Sequence, residues 1–280
     1  MRKQKSELVK KAVQEYLNSN KTMKELASKY NISPTSISGY LKRNKISYKP
    51  KTNRKYTLDE NYFEVIDTEE KAYFLGYLMA DGCLKKTYKE KITMMSFSQS
   101  EENKKTVYLL KQALNTTKPV YKKINNKGFN KSDESFVYVL DIVSKKITSD
   151  LLKHGMSHKK ENISRIPQMD RRLIKHFIRG YFDGDGSISV YNNKYGLQAE
   201  FSITSSSVSL LIEIQNYLSS ELSLSLTKLK SYKNKNAKTL RYFGKKNLKQ
   251  IFHYLYSDAT IFLKTKYDKF QHYGRTAKMP

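Results

Sequence analysis

The sequence predicts an α+β protein made of two tandem αββαββα halves, preceded by a small all-α domain. Three observations support this prediction. A short motif occurs twice, the helix and strand patterns after each copy follow the same order, and the first 46 residues carry only helical periodicity. We place the all-α domain at 1–46, a basic linker at 47–55, and the two halves at 56–165 and 166–280.

The repeated motif reads Gly-Tyr-x-x-x-Asp-Gly. Its aspartates are Asp81 and Asp185, an offset of 185 − 81 = 104 positions. Each copy is the C-terminal part of a predicted helix that is too short to span a bilayer. Small residues that recur four positions apart let two helix backbones approach closely. These small residues are Gly76 with Ala80 and Gly180 with Gly184.

Each predicted helix ends on an aspartate, at the negative end of the helix dipole. This placement is unfavourable by roughly 0.3–1 kcal/mol. If the two helices pack side by side, Asp81 and Asp185 also approach each other. Two such charges about 4 Å apart repel by about 4 kcal/mol at an effective dielectric constant of about 20. Bound cations offset this repulsion, so we interpret the pair as a metal site.

The two motif copies and their flanks resemble the LAGLIDADG homing endonucleases. The resemblance implies a single-chain pseudo-dimer whose two sheets form a saddle on DNA. It also implies that Asp81 and Asp185 bind a divalent metal, Mg²⁺ or Mn²⁺, with help from the backbone carbonyls of Ala80 and Gly184. One aspartate for each strand then predicts a site-specific double-strand break with short 3′ overhangs. Such an enzyme would serve the homing of an intron or another mobile element.

Family members also place a polar residue at the end of the second strand and a lysine after the last helix of each half. The resemblance assigns these roles to Glu101 with Ser205 and to Lys160 with Lys266. Ordinary surface lysines remain an equal alternative for the last pair in so basic a chain. Met79 stands where the family often has an acidic residue, which affects local helix capping rather than catalysis.

Alternation of apolar and polar residues assigns one face of each predicted sheet to the core and the other to DNA. The core face carries Met95, Phe97, Ala199, Phe201 and Ile203. The predicted DNA face carries Ser96, Ser98, Ser202 and Thr204, extended by Lys123, Lys228, Lys230 and Arg241 as groove or phosphate contacts.

The N-terminal domain resembles a helix-turn-helix of the resolvase or homeodomain-like kind. In that motif the N-terminal residues of the recognition helix contact base edges. Here they are Thr35 and Ser36, with Lys42 and Arg43 near phosphates. A three-helix bundle that binds protein is the alternative. Residues 1–55 hold 15 Lys and Arg against 3 Glu, a net charge of 15 − 3 = +12, which favours DNA.

The composition indicates a polyanionic partner. The 280 residues include 53 Lys and Arg against 26 Asp and Glu, for a net charge of +27. Because these basic residues are spread along the chain rather than gathered on one amphipathic helix, we expect double-stranded DNA and no membrane partner. A single cysteine, Cys83, and the lack of a signal peptide predict a cytoplasmic protein, which as a DNA binder would be nucleoid-associated. The two tandem halves predict a monomer that acts as an internal pseudo-dimer. The chain ends predict a free-standing protein rather than an intein.

Two rival functions use the same predicted fold. One is an RNA-binding maturase that assists intron splicing, and the other is a DNA-binding regulator that does not cleave. Retention of both Asp81 and Asp185 favours the endonuclease, because only cleavage needs the pair.

Overall fold

The computed structural model describes residues 2–19, 21–48, 55–86, 91–125, 135–158, 165–194, 196–231 and 236–276. The chain divides into two compact units, Met1–Tyr56 and Thr57–Pro280. The predicted linker falls mostly at 49–54, outside the described residues. No described helix is long and apolar enough to cross a bilayer.

The first unit contains three helices, α1 (Arg2–Asn18), α2 (Met23–Lys29) and α3 (Pro34–Arg43). Helix α2 begins with a capping box between Thr22 and Glu25, in which each residue's side chain accepts from the other's backbone N–H. Ser33 caps α3. Between the two helices Asn31 adopts a left-handed backbone with φ of 49°, a conformation that asparagine tolerates well. Apolar side chains of all three helices form a separate small core.

The second unit consists of two successive halves, each with the predicted order of helices and strands. The first half contains α4 (Glu69–Asp81), β1 (Cys83–Lys86), β2 (Ile92–Ser100), α5 (Lys104–Ala113), β3 (Tyr121–Asn125), β4 (Ser135–Val143) and α6 (Lys145–Lys153). The second half contains α7 (Arg171–Asp185), β5 (Gly186–Asn193), β6 (Gly196–Ser205), α8 (Val208–Leu222), β7 (Lys230–Ser231), β8 (Lys238–Phe243), α9 (Lys245–Tyr256) and α10 (Lys264–Thr276). The predicted α+β class and tandem architecture are confirmed.

Each half forms one four-stranded antiparallel sheet. The strand orders, β1-β2-β4-β3 and β5-β6-β8-β7, are equivalent. Since successive side chains of a strand point to opposite faces, one face of each sheet packs on the helices. Phe97 and Phe201 are fully buried on that face, as the alternation predicts, while Ser98 and Thr204 on the other face are exposed.

Two elements differ from the sequence-based expectation. Helix α10 was not predicted, because its residues are mostly polar and only a few aromatic side chains, among them Phe270 and Tyr273, are buried. The sequence pattern at 225–232 also predicts a strand, but among the described residues only β7 forms there, and it pairs with β8 at only two positions. Just before β7, the backbone carbonyl of Thr227 accepts from the Gln215 side chain at 2.7 Å rather than from a neighbouring strand.

Candidate active site

Helices α4 and α7 pack with their backbones in close contact. A Cβ atom added to Gly76 would lie 2.1 Å from the carbonyl oxygen of Phe177. One added to Gly180 would lie 1.9 Å from the carbonyl oxygen of Tyr73. Both distances are far below van der Waals contact, so only glycine fits at these positions. The close approach predicted from the small residues is therefore present.

Both helices end at their motif aspartate, with a glycine as the following residue. Gly82 and Gly186 have φ of −71° and −94°, so neither adopts the left-handed conformation common after helices. Glycine is required at these two positions because there is no room for a Cβ atom. A Cβ on Gly82 would lie 2.5 Å from the carbonyl oxygen of Leu78, and one on Gly186 would lie 2.1 Å from Cδ2 of Phe182.

The charges of both Asp81 and Asp185 act on one ammonium group, that of Lys266 on α10. Burial lowers the pKa of Lys266 to about 8, while the negative charges of Asp183, Asp81 and Asp185 oppose this shift. Asp81 and Asp185 are both partly exposed. The structure thus brings together three of the residues selected from the sequence: Asp81, Asp185 and Lys266. Lys160, the expected counterpart of Lys266, lies outside the described residues.

The Lys266 side chain caps the C-terminal end of α7. Its Nζ atom donates to the carbonyl oxygens of Phe182 at 2.7 Å, Asp183 at 2.6 Å and Gly184 at 3.3 Å. A cation at this position compensates the negative end of the helix dipole. It thereby stabilises the helix end that carries Asp185.

The polar neighbour of Asp81 is Gln99, which the sequence-based assignment missed. Its Nε2 atom donates to Oδ2 of Asp81 at 2.8 Å from a buried position on β2. The assignment chose Glu101 instead, but the exposed carboxylate of Glu101 lies beyond β2 and pairs with Lys104. The sequence contained a signal, since Gln99 continues the core-facing series of Met95 and Phe97 as a polar residue.

Asp185 has a different environment. Tyr181 hydrogen-bonds Asp185, and burial together with the charge of Asp185 raises the pKa of Tyr181. The Tyr181 hydroxyl also lies 2.8 Å from Oγ of Ser205, the residue expected at the end of the second strand. The two aspartates are therefore oriented by different chemical groups, an amide for Asp81 and a phenol for Asp185.

The oxygen atoms at the paired helix ends fit a hard divalent cation. Mg²⁺ is commonly held by one or two carboxylates, with water and substrate phosphate completing its shell. Asp81 and Asp185 supply the carboxylates, and the carbonyls of Ala80 and Gly184 are adjacent. Within the described part of the chain, no cluster of three or more His, Cys, Asp or Glu side chains has metal-binding geometry. A closed protein cage of the structural zinc type is thus not found among these residues.

The polar residues predicted to face DNA lie on the sheet faces opposite the core. Ser98 of β2 is exposed, but Ser96, which was also predicted to contact DNA, is buried and accepts from Lys85 Nζ at 2.9 Å. On β6, Ser202 pairs in register with Arg241, and the Thr204 hydroxyl lies 2.9 Å from that of Thr239. Exposed lysines flank these strands, namely Lys123 on β3, Lys228 before β7 and Lys230 on β7.

The Arg241 guanidinium is held in place by neighbouring side chains. Its Nε atom donates to Glu200 at 2.5 Å and its Nη2 atom forms a second bond to the same carboxylate. The guanidinium also lies over the Phe243 ring, 4.6 Å from the centroid. These contacts fix its orientation on the outward face.

The predicted DNA contacts of the first unit lie on α3. Thr35 is exposed at the start of the helix, and Lys42 and Arg43 are exposed at its end. An open cleft of about 430 Å³ lies between the start of α1 and α3. The polar residues that line the cleft are Lys5, Ser6, Thr35, Ser36, Tyr40 and Arg43.

Comparisons with known proteins agree with this architecture. Residues 172–256, which form most of the second half, match the sequence model of the LAGLIDADG-like domain. The homing endonuclease I-WcaI, solved bound to its DNA recognition sequence, is similar with a TM-score of 0.51 and 14% identity, covering 81% of this chain and 97% of that chain. A search of curated protein sequences finds no match.

Two further solved structures are similar at 14% identity and a TM-score of 0.48. The I-SmaMI LAGLIDADG homing endonuclease bound to cleaved DNA covers 76% of this chain and 90% of its own. The I-LtrWI LAGLIDADG homing endonuclease bound to target DNA covers 79% and 92%. Residues 172–256 thus match the sequence model of a LAGLIDADG-like domain, and the chain shares the fold of the LAGLIDADG homing endonuclease type seen in I-WcaI.

Proposed function

We propose that the chain is a site-specific endonuclease that hydrolyses one phosphodiester bond on each strand of double-stranded DNA. The observation that carries the proposal is the pair of aspartates, Asp81 and Asp185, at adjoining helix ends beside the ammonium of Lys266. A helix pair held this closely needs no acidic residues at its ends for packing. Two carboxylates there supply oxygen ligands of the kind that a divalent cation prefers.

Mg²⁺ or Mn²⁺ is the proposed cofactor, held by Asp81 and Asp185 with the carbonyls of Ala80 and Gly184. A bound divalent cation supplies an acidified water and stabilises charge on the leaving oxygen. The chain's own groups orient the two carboxylates, through Gln99 for Asp81 and Tyr181 for Asp185. Lys266 holds a positive charge at the end of α7, where it would stabilise the charge that develops on a phosphate.

Double-stranded DNA is the proposed partner, and the net charge of +27 supports it. Each phosphate that a lysine or arginine neutralises releases counterions and adds to affinity. Because one chain supplies both halves, we propose that it acts as a monomer, associated with DNA in the cytoplasm. We further propose that the first unit adds DNA contacts through Thr35, Ser36, Lys42 and Arg43.

The separate substitutions Asp81→Asn and Asp185→Asn test the proposal. The substrate is a duplex selected from a random-sequence pool by binding to the chain without divalent metal. We expect double-strand cleavage in Mg²⁺ to fall at least ~100-fold, since an essential charged group is lost. Binding should be retained, because removing a negative charge near phosphates does not weaken it.

Wild-type turnover by both variants would place the chemistry elsewhere. A wild-type chain that binds the duplex but cuts neither strand in Mg²⁺ or Mn²⁺ would be a non-cleaving regulator. Selective binding of structured RNA over the duplex would favour a maturase.

A further inference from the structure

Helix α7 carries buried polar side chains that its partner α4 lacks. His176, Arg179 and Asp183 are 6%, 0% and 2% exposed. With the offset of 104, the equivalent positions of α4 are occupied by the buried apolar residues Ala72, Leu75 and Met79. The two helices are otherwise closely matched, so this polar set distinguishes the second half from the first.

The Asp183 carboxylate holds the start of α10. Its Oδ2 atom accepts from the backbone N–H of Leu263 at 2.7 Å and from the Tyr73 hydroxyl at 2.9 Å. Its Oδ1 atom accepts from the Tyr256 hydroxyl at 3.3 Å. Leu263 immediately precedes α10, so the buried carboxylate lies at the positive end of that helix's dipole.

Arg179 binds the end of α9 and the loop that connects α9 to α10. Its guanidinium donates to the carbonyl oxygens of Ile261 at 3.0 Å and Leu255 at 2.8 Å. It also donates to Glu69 of α4 at 2.6 Å. Glu69 in turn accepts from the backbone N–H of Thr260 at 2.8 Å. The loop between α9 and α10 is thus bound by both motif helices through charge-assisted bonds, which are the strong kind.

The loop leads directly to Lys266 in the first turn of α10. The Lys266 side chain contacts the last turn of α7, the turn that contains Asp183. There the Asp183 carbonyl oxygen accepts from Lys266 Nζ at 2.6 Å. Asp183 therefore contacts α10 twice, through its side chain at Leu263 and through its backbone at Lys266. Displacing the start of α10 would move the Lys266 ammonium away from the helix ends.

We propose that Asp183 is a positioning residue for Lys266, assisted by Arg179, and that this arrangement serves the second half alone. The consequence for cleavage rests on the proposed nuclease function. The strand whose cutting depends on Lys266 then also depends on Asp183. Cutting of the other strand does not, since α4 has Met79 at the equivalent position.

The first test is independent of catalysis and uses amide hydrogen exchange on the full chain. In Asp183→Met, which introduces the residue of the first half, we expect faster exchange at Leu263 and in the first turn of α10. Asp183→Asn keeps one acceptor oxygen and should restore much of the protection. Met79→Leu is the matched control in α4 and should leave exchange at 263–267 unchanged. Wild-type protection in Asp183→Met would overturn the proposal.

The second test follows each strand of a duplex selected by the wild-type chain, using different end labels. Lys266→Met identifies the strand that depends on the lysine. We expect Asp183→Met to reduce the cutting rate of that same strand by about tenfold to a hundredfold. This is the effect of misplacing a catalytic group by about 1 Å. The double variant should cut no more slowly than Lys266→Met alone, because both changes remove one function.

Equal slowing of both strands, or additive losses in the double variant, would show a general structural role and overturn the positioning role. A different experimental result would refute the nuclease proposal. A wild-type chain that cuts neither strand refutes that proposal, whereas the exchange measurement still decides whether Asp183 holds α10.

Discussion

At the scale of single residues, His176 is a buried histidine held in its neutral form. Burial, followed by the positive charge of Arg179, lowers its pKa to about 4, while Glu69 and Asp258 act in the opposite direction. Its Nδ1 atom lies 2.8 Å from Nη1 of Arg179. Because arginine only donates, Nδ1 must accept, and this requires an unprotonated nitrogen.

The lowered pKa of His176 predicts a loss of stability in mild acid. Below about pH 6.5 the unfolded chain binds a proton at this residue that the folded chain binds only near pH 4. The free energy of unfolding should therefore fall by roughly 2 kcal/mol from this group between pH 7 and pH 5. His176→Gln keeps an acceptor for Arg179 and cannot take up the proton.

Urea unfolding of both proteins at the two pH values measures this difference. The variant should lose less stability than the wild type by about that amount. Equal losses would mean that His176 is protonated in the folded protein at pH 5, contrary to its contact with Arg179.

At the scale of elements, the α4–α7 pair depends on glycine at the contact. Gly180→Ala places a Cβ 1.9 Å from the Tyr73 carbonyl oxygen, so the helices must separate. We expect destabilisation of roughly 1–3 kcal/mol, typical of an overpacked core. Separation also moves Asp81 away from Asp185, so cleavage should fall as well. Thermal and urea unfolding measure the change in stability.

Gly39→Ala in α3 is the matched helical control. Its added Cβ meets only the flexible end of Arg43 at 3.9 Å. The substitution should leave the first unit unchanged or stabilise it by up to about 1 kcal/mol, the difference in helix propensity. If Gly180→Ala behaved like Gly39→Ala, the close contact of α4 and α7 would be wrong.

The elements with strong periodicity could be predicted from the sequence, and so could the motif residues at their ends. Helix α10 could not, because its buried aromatic residues pack on partners remote in sequence. Phe270, for example, lies 6.0 Å from Phe182 between ring centroids. The bonds of Arg179 and Asp183 were missed for the same reason. Their acceptors and donors lie about 80 positions away, and only the folded chain brings them together.

At the scale of the whole molecule, the two units have separate hydrophobic cores with no residue in common. The proposed chemistry lies entirely in the second unit, at Asp81, Asp185 and Lys266. The positive net charge, by contrast, is shared between the two units. Residues 1–55 carry +12 of the total +27, which leaves +15 on residues 56–280. Removing the first unit therefore removes nearly half the net charge and none of the proposed active site.

A chain that begins at Thr57 should accordingly cut its duplex in Mg²⁺ but bind it more weakly and with less salt dependence. The slope of log affinity against log salt concentration should become shallower by about 0.9 for each phosphate that the shorter chain no longer neutralises. Binding titrations of both chains at several salt concentrations give the two slopes. An unchanged slope would mean that the first unit binds no phosphates and would favour the protein-binding bundle. A folded but inactive truncation would instead place part of the cutting function in the first unit.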